Sequence, residues 1–544
     1  MALASLCHES TFAKSDFKTC IGGSLDGAWR LPQFTGFIVD HKLRDNSGDE
    51  ALKVANELEK LGITSRILEL KWSGYDSPSS LRNLESVARR LRYQAIGRAC
   101  RRESVTSLLL GHHADDQAET VLMRMVSGYT GSGLRGISDS APLPECHGIH
   151  GVDHSGQDNT SSLKMMVEGG GVQLCRPLLH ARKTELFDIC TRHGVRWFDD
   201  HTNLDPTLTV RNAVRSMLRT EGALPRALQF PRLTALSENR SFQEDEDKAT
   251  AKRLLDMMKV SLHLRSGQMT IVISKALREG PSQTQTSASS YALRQLVAAV
   301  SPRSSISLQD LGRAAALVFG CGESNNSADK QLQVAGVNVR TRPGQSTDGT
   351  FILSRTLPPS REVKFAELQL WSPQSASEAI SEEDKWRLWD GRFWIRVHSP
   401  VNRGPLVRGV VVRFLNKDGY AQLLELQKQG LGLKCRDRMA DVNLQTREGD
   451  GRDAVQILKS VARYDVRLTL PAIFVQRLVS VDEDVVEERL VALPSLDCYA
   501  QGWNGKMSGA AGLATEWQCE IRYKHVDLDE SRLQDSIDGA QFID

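Results

Sequence analysis

The chain has 544 residues, too many for one ordinary hydrophobic core, so we expect two or three domains. Hydrophobic residues make up 40% and charged residues 25%, a balance typical of globular proteins rather than disordered chains. The 69 Lys and Arg residues nearly balance the 67 Asp and Glu residues; the charge of +2 excludes a histone-like polycation but leaves room for a local basic surface. No apolar run approaches the roughly 20 residues that span a bilayer, which excludes a membrane protein.

The ten cysteines are scattered, and no Cys-x-x-Cys pair occurs. This spacing argues against a disulfide framework and against a zinc or iron–sulfur site held by cysteines. Reduced thiols are typical of intracellular compartments. Residues 1–20 also lack the continuous apolar segment of a secretory signal. We therefore expect the mitochondrial matrix or the cytoplasm, and not secretion.

The first third of the chain alternates strand and helix patterns, which predicts right-handed crossovers and a parallel sheet with ligands at the carboxyl ends of its strands. A capping box, with Ser47 at the cap and Glu50 three residues on, opens the first helix. We predict an α/β fold, a doubly wound parallel sheet. The predicted strands are residues 34–39, 63–70, 105–110 and 172–175, and the predicted helices begin at residue 47 and cover 83–102, 115–126 and 183–193.

The rest of the chain divides by composition. Residues 142–171 are rich in Gly, Ser and Asp and are typical of a surface insertion. We predict domains at 1–220, which carries this insertion, at 221–328, mainly helical, and at 329–544, a mixed α+β region with an acidic tail.

The densest polar segment is residues 112–120, which follow an apolar run at the end of a predicted strand. This point lies in the ligand crevice of a parallel sheet, and the helix N-terminus there favours anions. Asp115 could simply cap that helix; a divalent metal site and a site for ATP with magnesium are the functional alternatives. The density of polar residues favours a functional site. They are His112, His113, Asp115, Asp116, Glu119 and Thr120.

Three further segments have the character of a phosphate site. Asp40, His41 and Arg44 leave another strand end together, although a strand-terminal aspartate caps a turn as often as it contacts a ligand. Seven arginines lie between residues 82 and 102, where they form a solvated face or grip the phosphates of ATP or RNA. A second basic run, residues 211–219, could contact phosphates along a nucleic acid.

Taken in order, these segments resemble the tRNA(Ile)-lysidine synthetase family of N-type ATP pyrophosphatases, the PP-loop enzymes. The likeness covers about residues 34–220. The matching segments are VDHKLR (39–44), ARRLRY (88–93), HHADDQAET (112–120), RPLL (176–179), WFDD (197–200) and RNAVR (211–215).

The resemblance implies a ligase. ATP would adenylate the C2 carbonyl oxygen of the wobble cytidine in a CAU-anticodon tRNA(Ile) and release pyrophosphate; the ε-amine of free L-lysine would then attack C2, and AMP would leave. It also implies Mg²⁺ and a tRNA-binding role for residues 221–328. It implies that Arg92, His112 and Asp116 are catalytic, Asp116 through Mg²⁺. Cofactor contacts would come from Asp40, His41, Arg44, His113, Asp115, Glu119, Thr120 and Arg176, and tRNA contacts from Arg211, Asn212, Arg215 and Arg219.

The family's signature, a Ser-Gly-Gly-x-Asp-Ser loop after the first strand, does not occur in this sequence. The backbone amides of such a loop cradle pyrophosphate. Residues 1–7 resemble the helix that follows the loop, so we expect the chain to begin just downstream of it; residues 22–27 (GGSLDG) are interpreted as a connector. Without the loop we expect weak ATP binding. Two alternatives stay open: a catalytically impaired tRNA-binding module, and a tRNA thiolation enzyme, which the missing Cys-x-x-Cys disfavours.

Overall fold

The structure, a computed structural model, forms two compact units. Unit 1 comprises residues 1–147 and 171–246, and unit 2 comprises residues 148–170 and 247–544. None of the helices in the described part of the chain has the length and apolarity needed to cross a bilayer. The residues described are 1–10, 33–44, 46–72, 81–157, 163–198, 209–220, 222–275, 277, 285–319, 330–342, 348–359, 366–373, 382–400, 407–435, 453–462, 464–480, 485–504 and 516–535. The GGSLDG segment and Asp199 and Asp200 of the WFDD segment lie outside them.

Unit 1 confirms the predicted α/β fold with parallel strands. β1 and β2 pair in parallel, with Asp40 opposite Glu69. β3 and β7 also pair in parallel, with Leu109 opposite Cys175, and β4 runs antiparallel to β7. The strands of unit 1 are β1 (Thr35–Asp40), β2 (Thr64–Glu69), β3 (Ser107–Leu109), β4 (Ser140–Pro142) and β7 (Gln173–Cys175).

Helices cover these strands through apolar faces. The second helix buries Ala51 and Leu58, and Leu58 lies so close to Gly36 of β1 that a Cβ there would be 2.6 Å from its Cδ1 atom. The predicted capping box is wrong, because this helix begins at Ser47 itself and Asn46 caps it without a side-chain hydrogen bond. The helices of unit 1 are α1 (2–10), α2 (Ser47–Lys60), α3 (Leu84–Arg102), α4 (Ala114–Val126), α5 (Lys183–Arg192), α6 (Val210–Arg219) and α7 (Phe230–Asp256), whose last turns belong to unit 2.

Two small cores position the helices of unit 1. α4 packs against α6 through Ala118, Val121 and Val214, all nearly inaccessible to solvent. α1 packs against α5 through residues that include Ala2 and Leu186. Burial of these small apolar faces sets the rotation of α4, and therefore the direction in which its polar residues point.

Unit 2 is built on mainly antiparallel sheets around two buried clusters, with β21–β22 and β8–β23 as its parallel pairs among the described residues. Residues 221–328 were expected to be mainly helical, and within them residues 259–273 form a hairpin, β8 and β9, in which every second residue of β9 is buried. The helices of unit 2 are α8 (Gln285–Val300), α9 (Leu308–Phe319), α10 (Lys417–Lys428) and α11 (Ala454–Val461). Its strands are β5 (Gly156–Gln157), β6 (Gly169–Gly170), β8 (Lys259–His263), β9 (Gln268–Ile273), β10 (Gln331–Val334), β11 (Val337–Arg342), β12 (Gly349–Arg355), β13 (Leu368–Trp371), β14 (Arg387–Trp389), β15 (Phe393–His398), β16 (Val407–Phe414), β17 (Lys434–Cys435), β18 (Pro471–Ser480), β19 (Val485–Leu493), β20 (Cys498–Tyr499), β21 (Trp503–Asn504), β22 (Trp517–Tyr523) and β23 (Leu533–Gln534).

The insertion inside the first predicted domain is not a surface loop. Its residues 148–170 belong to unit 2, where Met165 joins the larger buried cluster. Glu168 is 1% exposed, accepts from His150 at 3.0 Å and donates its backbone N–H to the Tyr523 carbonyl at 2.8 Å. A Gly- and Ser-rich composition concealed this burial because a few buried residues suffice to anchor the segment.

The cysteines also differ from the expectation of reduced thiols. Cys435 and Cys498, directly opposite each other on β17 and β20, form a disulfide. The free cysteines of the described residues are Cys7, Cys100, Cys146, Cys175, Cys190 and Cys519.

Candidate functional site

The candidate site begins at two neighbouring strand ends in unit 1. β3 and β7 are parallel and in register, and the Leu110 N–H donates to the Cys175 carbonyl at 2.9 Å just beyond the last residue pair. His112 and Arg176 therefore leave the same edge of the sheet, which is the edge where parallel α/β sheets bind ligands.

Both side chains carry a buried polar atom without a hydrogen-bond partner among the described residues. These atoms are Nδ1 of His112 and Nε of Arg176. Arg176 is otherwise anchored, because its Nη1 donates to the Ser138 carbonyl at 2.6 Å. Burial lowers the pKa of His112; Asp116 opposes this shift, while Arg176 and Arg211 reinforce it. His112 and Arg176 thus each hold an unused buried polar atom at this strand edge, and they lie close enough for the charge of Arg176 to lower the pKa of His112.

The N-terminus of α4 follows immediately, and two of its own side chains cap it. His113 is the N-cap: its Nδ1 accepts from the Asp116 N–H at 3.4 Å, and its N–H donates to Asp116 Oδ2 at 3.1 Å. This reciprocal pair is a capping box formed by His and Asp. Asp116 is thereby held at the first turn of the helix, next to the positive end of the helix dipole.

Two carboxylates of α4 and two arginines of α6 form what we call the Arg–carboxylate quartet: Asp116, Glu119, Arg211 and Arg215. Arg211 donates from Nη2 to Asp116 Oδ1 and from Nε to Glu119 Oε2, both at 2.9 Å. Arg215 donates from Nε to Glu119 Oε1 at 2.7 Å and from Nη2 to Oε2 at 3.0 Å. Glu119 is only 3% exposed, and its hydrogen bond raises the pKa of Arg215. The structure thus brings together two residues that the resemblance assigned to nucleotide and metal and two that it assigned to tRNA.

Asp115 and Thr120 point elsewhere. Asp115 accepts from the Lys183 N–H at 2.8 Å and from Arg182 Nη2 at 3.3 Å, so it connects α4 to the start of α5. The Thr120 hydroxyl donates back to the Asp116 carbonyl at 2.8 Å. Both contacts stabilise the helix positions, and the assignment of these residues to ATP stays a prediction.

The β1 strand end carries a second group. Asp40 is 2% exposed and accepts from the Lys42 N–H, while Lys42 Nζ lies 2.9 Å from its Oδ2. Burial lowers the pKa of His41, and the positive charge of Arg92 lowers it further against the opposing effect of Asp40. Arg44 is exposed. Asp40 therefore organises the turn after β1, and the assignment of Asp40, His41 and Arg44 to ATP stays a prediction.

A tyrosine that sequence reasoning did not assign to the site connects these groups. The guanidinium groups of Arg89 and Arg92 lie 4.8 and 5.4 Å from the centre of the Tyr93 ring. Burial lowers the pKa of Arg176, and Tyr93 and Arg89 are its next strongest electrostatic neighbours. Arg92 thus contacts Tyr93 and lowers the pKa of His41. The charges that act on the pKa of His112 include those of Asp116 and Arg176.

Gln117 and Arg124 were also missed, and they hold the Gly-rich loop at residues 128–136. Gln117 donates to the Ile137 carbonyl at 3.0 Å and accepts from its N–H at 2.6 Å. Arg124 donates to the carbonyls of Gly133 and Gly136 at 2.9 and 2.8 Å. Nothing in the sequence pattern distinguishes these residues from solvated helix residues.

The remaining residues assigned to tRNA differ in exposure. Asn212 is 8% exposed, and its N–H is capped by the Thr209 hydroxyl at 3.1 Å. Arg219 is exposed at the end of α6. Arg219 is thus available to a polyanion without rearrangement, and the tRNA assignment of the four residues stays a prediction.

The described residues do not form a magnesium site by themselves. Both oxygens of Asp116 already accept hydrogen bonds, from Arg211 and from the His113 N–H. Within the described ranges, no group of three His, Cys, Asp or Glu side chains surrounds a common point. The prediction that Asp116 binds Mg²⁺ stays a prediction, and no chemical step below depends on the ion.

Residues 28–221 match the PP-loop domain family. A probable tRNA(Ile)-lysidine synthase of Schizosaccharomyces pombe is 34% identical over 245 residues, which are 45% of this chain and 49% of that protein. The tRNA(Ile)-lysidine synthase of Bradyrhizobium sp. (strain BTAi1) is 34% identical over 212 residues, 38% of this chain and 50% of that protein. The chain thus spans about half the length of the curated relatives it matches.

Among solved structures, the U34-tRNA thiolase NcsA from Methanococcus maripaludis with its 4Fe-4S cluster aligns with a TM-score of 0.30 and 14% identity, over 44% of this chain and 69% of that chain. A likeness of this size carries no argument. The matched segments, the parallel strands and the polar strand ends agree with the family match. Residues 28–221 are therefore similar to the PP-loop domain family, and the relatives named above, with which this chain aligns, are tRNA(Ile)-lysidine synthases.

Proposed function

We propose that the chain ligates lysine to C2 of the wobble cytidine in a CAU-anticodon tRNA(Ile), with ATP as the activating substrate. One observation supports this most directly. His112 Nδ1 and Arg176 Nε are buried without partners in the described part of the chain, on adjacent parallel strand ends beside a helix N-terminus. Leaving such atoms unpaired is costly, and an anionic ligand that accepts from the Arg176 N–H would remove part of that cost.

Arg176 and His112 define the chemistry that this strand edge would support. Arg176 would neutralise charge on the α-phosphoryl group while pyrophosphate leaves. His112, largely neutral because burial lowers its pKa, would donate or accept one hydrogen bond there without adding charge. The ε-amine of lysine would then attack C2, the C2–oxygen bond would break, and AMP would depart. Mg²⁺ would accompany the triphosphate, with no ligand assigned to it in the chain.

The tRNA would be held by exposed basic residues. Arg44 and Arg219 are exposed at the end of β1 and of α6, and guanidinium groups suit phosphate oxygens. We propose tRNA(Ile), free L-lysine and ATP as partners, and the mitochondrial matrix or the cytoplasm as the compartment.

The test is incorporation of labelled lysine into a CAU-anticodon tRNA(Ile) transcript in the presence of ATP. It is run on the chain as it stands and on the chain extended by a strand and Ser-Gly-Gly-x-Asp-Ser loop taken from a relative. We expect incorporation with the extended protein, and none into a transcript with a GAU anticodon. Arg176→Gln should reduce incorporation at least tenfold, whereas Arg98→Gln, an exposed arginine of α3, should not. Binding of tRNA without incorporation by either protein would favour the binding module instead.

A further inference from the structure

Glu119 is the most deeply buried member of the Arg–carboxylate quartet. Its side chain is 4% exposed, compared with 14% for Asp116, 18% for Arg215 and 38% for Arg211. It accepts three hydrogen bonds, two from Arg215 and one from Arg211. Both oxygens of Glu119 thus already accept hydrogen bonds, and its burial keeps it from presenting them to a ligand.

The four charges balance in pairs. Burying Glu119 alone would be costly, and the bidentate contact from Arg215 compensates its charge. Arg211, whose charge balances that of Asp116, is therefore not needed to neutralise Glu119, and its contact with Glu119 has a geometric consequence. With Nε held by Glu119 and Nη2 held by Asp116, the plane of the Arg211 guanidinium is set.

One edge of that guanidinium stays open. Nη1 of Arg211 has no hydrogen-bond partner in the described part of unit 1, and the side chain is more than one third exposed. Arg211 donates to one oxygen of Asp116, and the other oxygen accepts from the N–H of His113, the residue that follows His112. The charge of Arg211 also lowers the pKa of His112. The open edge thus belongs to the same polar neighbourhood as the unpaired atoms of His112 and Arg176.

We propose that Glu119 is a positioning residue that holds the Arg211 guanidinium in place for the phosphoryl group, with Arg215 as its charge partner. This inference rests on the proposed function, because it takes the strand edge with His112 and Arg176 as the phosphate site. A flexible arginine fixed before the substrate arrives lowers the reorganisation that the reaction requires. Glu119 itself touches no substrate, which separates it from the nucleotide contact that the resemblance implied.

The test measures the pKa of His112 by NMR on protein with labelled histidine, the signal being assigned with His112→Gln. Arg211→Met removes a positive charge that lowers this pKa and should raise it. Glu119→Gln, which keeps the shape but removes the negative charge, should raise it too if Arg211 loses its anchor. If Glu119 acted only through its own charge, its loss would lower the pKa of His112. The sign of the shift therefore separates this direct effect from the release of Arg211. Glu244→Gln, at a similarly buried pair with Arg135, is the matched control and should change nothing.

The double variant Glu119→Gln with Arg211→Met should match Arg211→Met alone, because Glu119 acts through Arg211. A His112 pKa that is unchanged or falls in Glu119→Gln, or that rises further in the double variant, overturns the proposal. If Glu119→Gln does not fold, Glu119→Gln with Arg215→Met removes one charge of each sign and is judged by the same criteria.

Turnover gives an independent readout. Glu119→Gln in the loop-extended protein should lower kcat for lysine incorporation about 10- to 100-fold, the usual range for residues that orient a functional group, with KM for ATP changed by less than about threefold. A changed KM with unchanged kcat would contradict the positioning role. If the wild-type extended protein incorporates no lysine, the proposed function fails, whereas the His112 titration still decides whether Glu119 positions Arg211.

Discussion

Lys524 makes the stability of unit 2 depend on pH. Its ammonium group donates to the Ser301 carbonyl beside the fully buried Arg392, whose charge Asp390 only partly offsets. Burial, followed by the repulsion from Arg392, lowers the pKa of Lys524 from 10.5 to about 7. The folded protein therefore binds this proton more weakly than the unfolded chain does.

The sign and size of the effect follow from linkage. Below about pH 7 the lysine is charged in both states, and the folded state carries the full penalty, at most about 5 kcal/mol. Between pH 7 and 10.5 only the unfolded chain holds the proton, so stability rises with pH, by up to about 1.4 kcal/mol per pH unit. From pH 7.5 to 8.5 we expect a gain of about 1.2 kcal/mol that Lys524→Met lacks.

Urea unfolding followed by tryptophan fluorescence measures this gain, because unit 2 contains a set of buried tryptophans. Wild type and Lys524→Met are compared at pH 7.5, 8.0 and 8.5. The difference between their free energies of unfolding removes the pH dependence of the histidines and cysteines that both proteins share. Parallel stability curves for the two proteins would show that Lys524 is charged in the fold and would refute the reasoning. The reporting residues are Trp371, Trp386, Trp389, Trp394, Trp503 and Trp517.

Two further predictions concern stability. Gly391 has a φ of +57° in the turn between β14 and β15, and a Cβ there would collide with the Pro302 carbonyl, so Gly391→Ala should destabilise unit 2 by more than about 2 kcal/mol in urea unfolding. Gly312→Ala, in α9 with open space around it, is the control and should be neutral or stabilising by up to about 1 kcal/mol; equal effects would contradict the argument. Asp115→Ala should destabilise unit 1 by about 1–2 kcal/mol, because α5 loses two hydrogen bonds to α4, and unchanged hydrogen exchange of the α5 amides would contradict this.

Local patterns were sufficient for the elements around the site. The sequence placed a strand at 34–39 and a helix at 83–102, and the structure has Thr35–Asp40 and Leu84–Arg102. Periodicity and chain punctuation determine such elements because they depend on residues close in sequence. The same reasoning missed the hairpin at residues 259–273, whose strands pair with each other and also with β12 and β23, which lie far along the chain.

The pairing of charges could not be predicted in the same way. Asp115 and Asp116 are chemically identical neighbours, yet one connects α4 to α5 and the other joins the Arg–carboxylate quartet. The rotation of α4 decides which of the two aspartates meets the arginines of α6. Ala118 and Val121 set that rotation through packing on α6. The arginines that complete the quartet lie more than 90 residues away in sequence, so no local pattern reveals them.

The sequence by itself determined the α/β class, the order of strands and helices in the first third, and the position of the polar residues at strand ends, since these follow from periodicity over a few turns of chain. Only the tertiary structure decided that Glu119 accepts hydrogen bonds from Arg211 and Arg215, that Asp40 organises a turn, and that residues 148–170 join unit 2. Burial makes the difference: a charge removed from water must find a partner, and folding alone sets which partner is within reach.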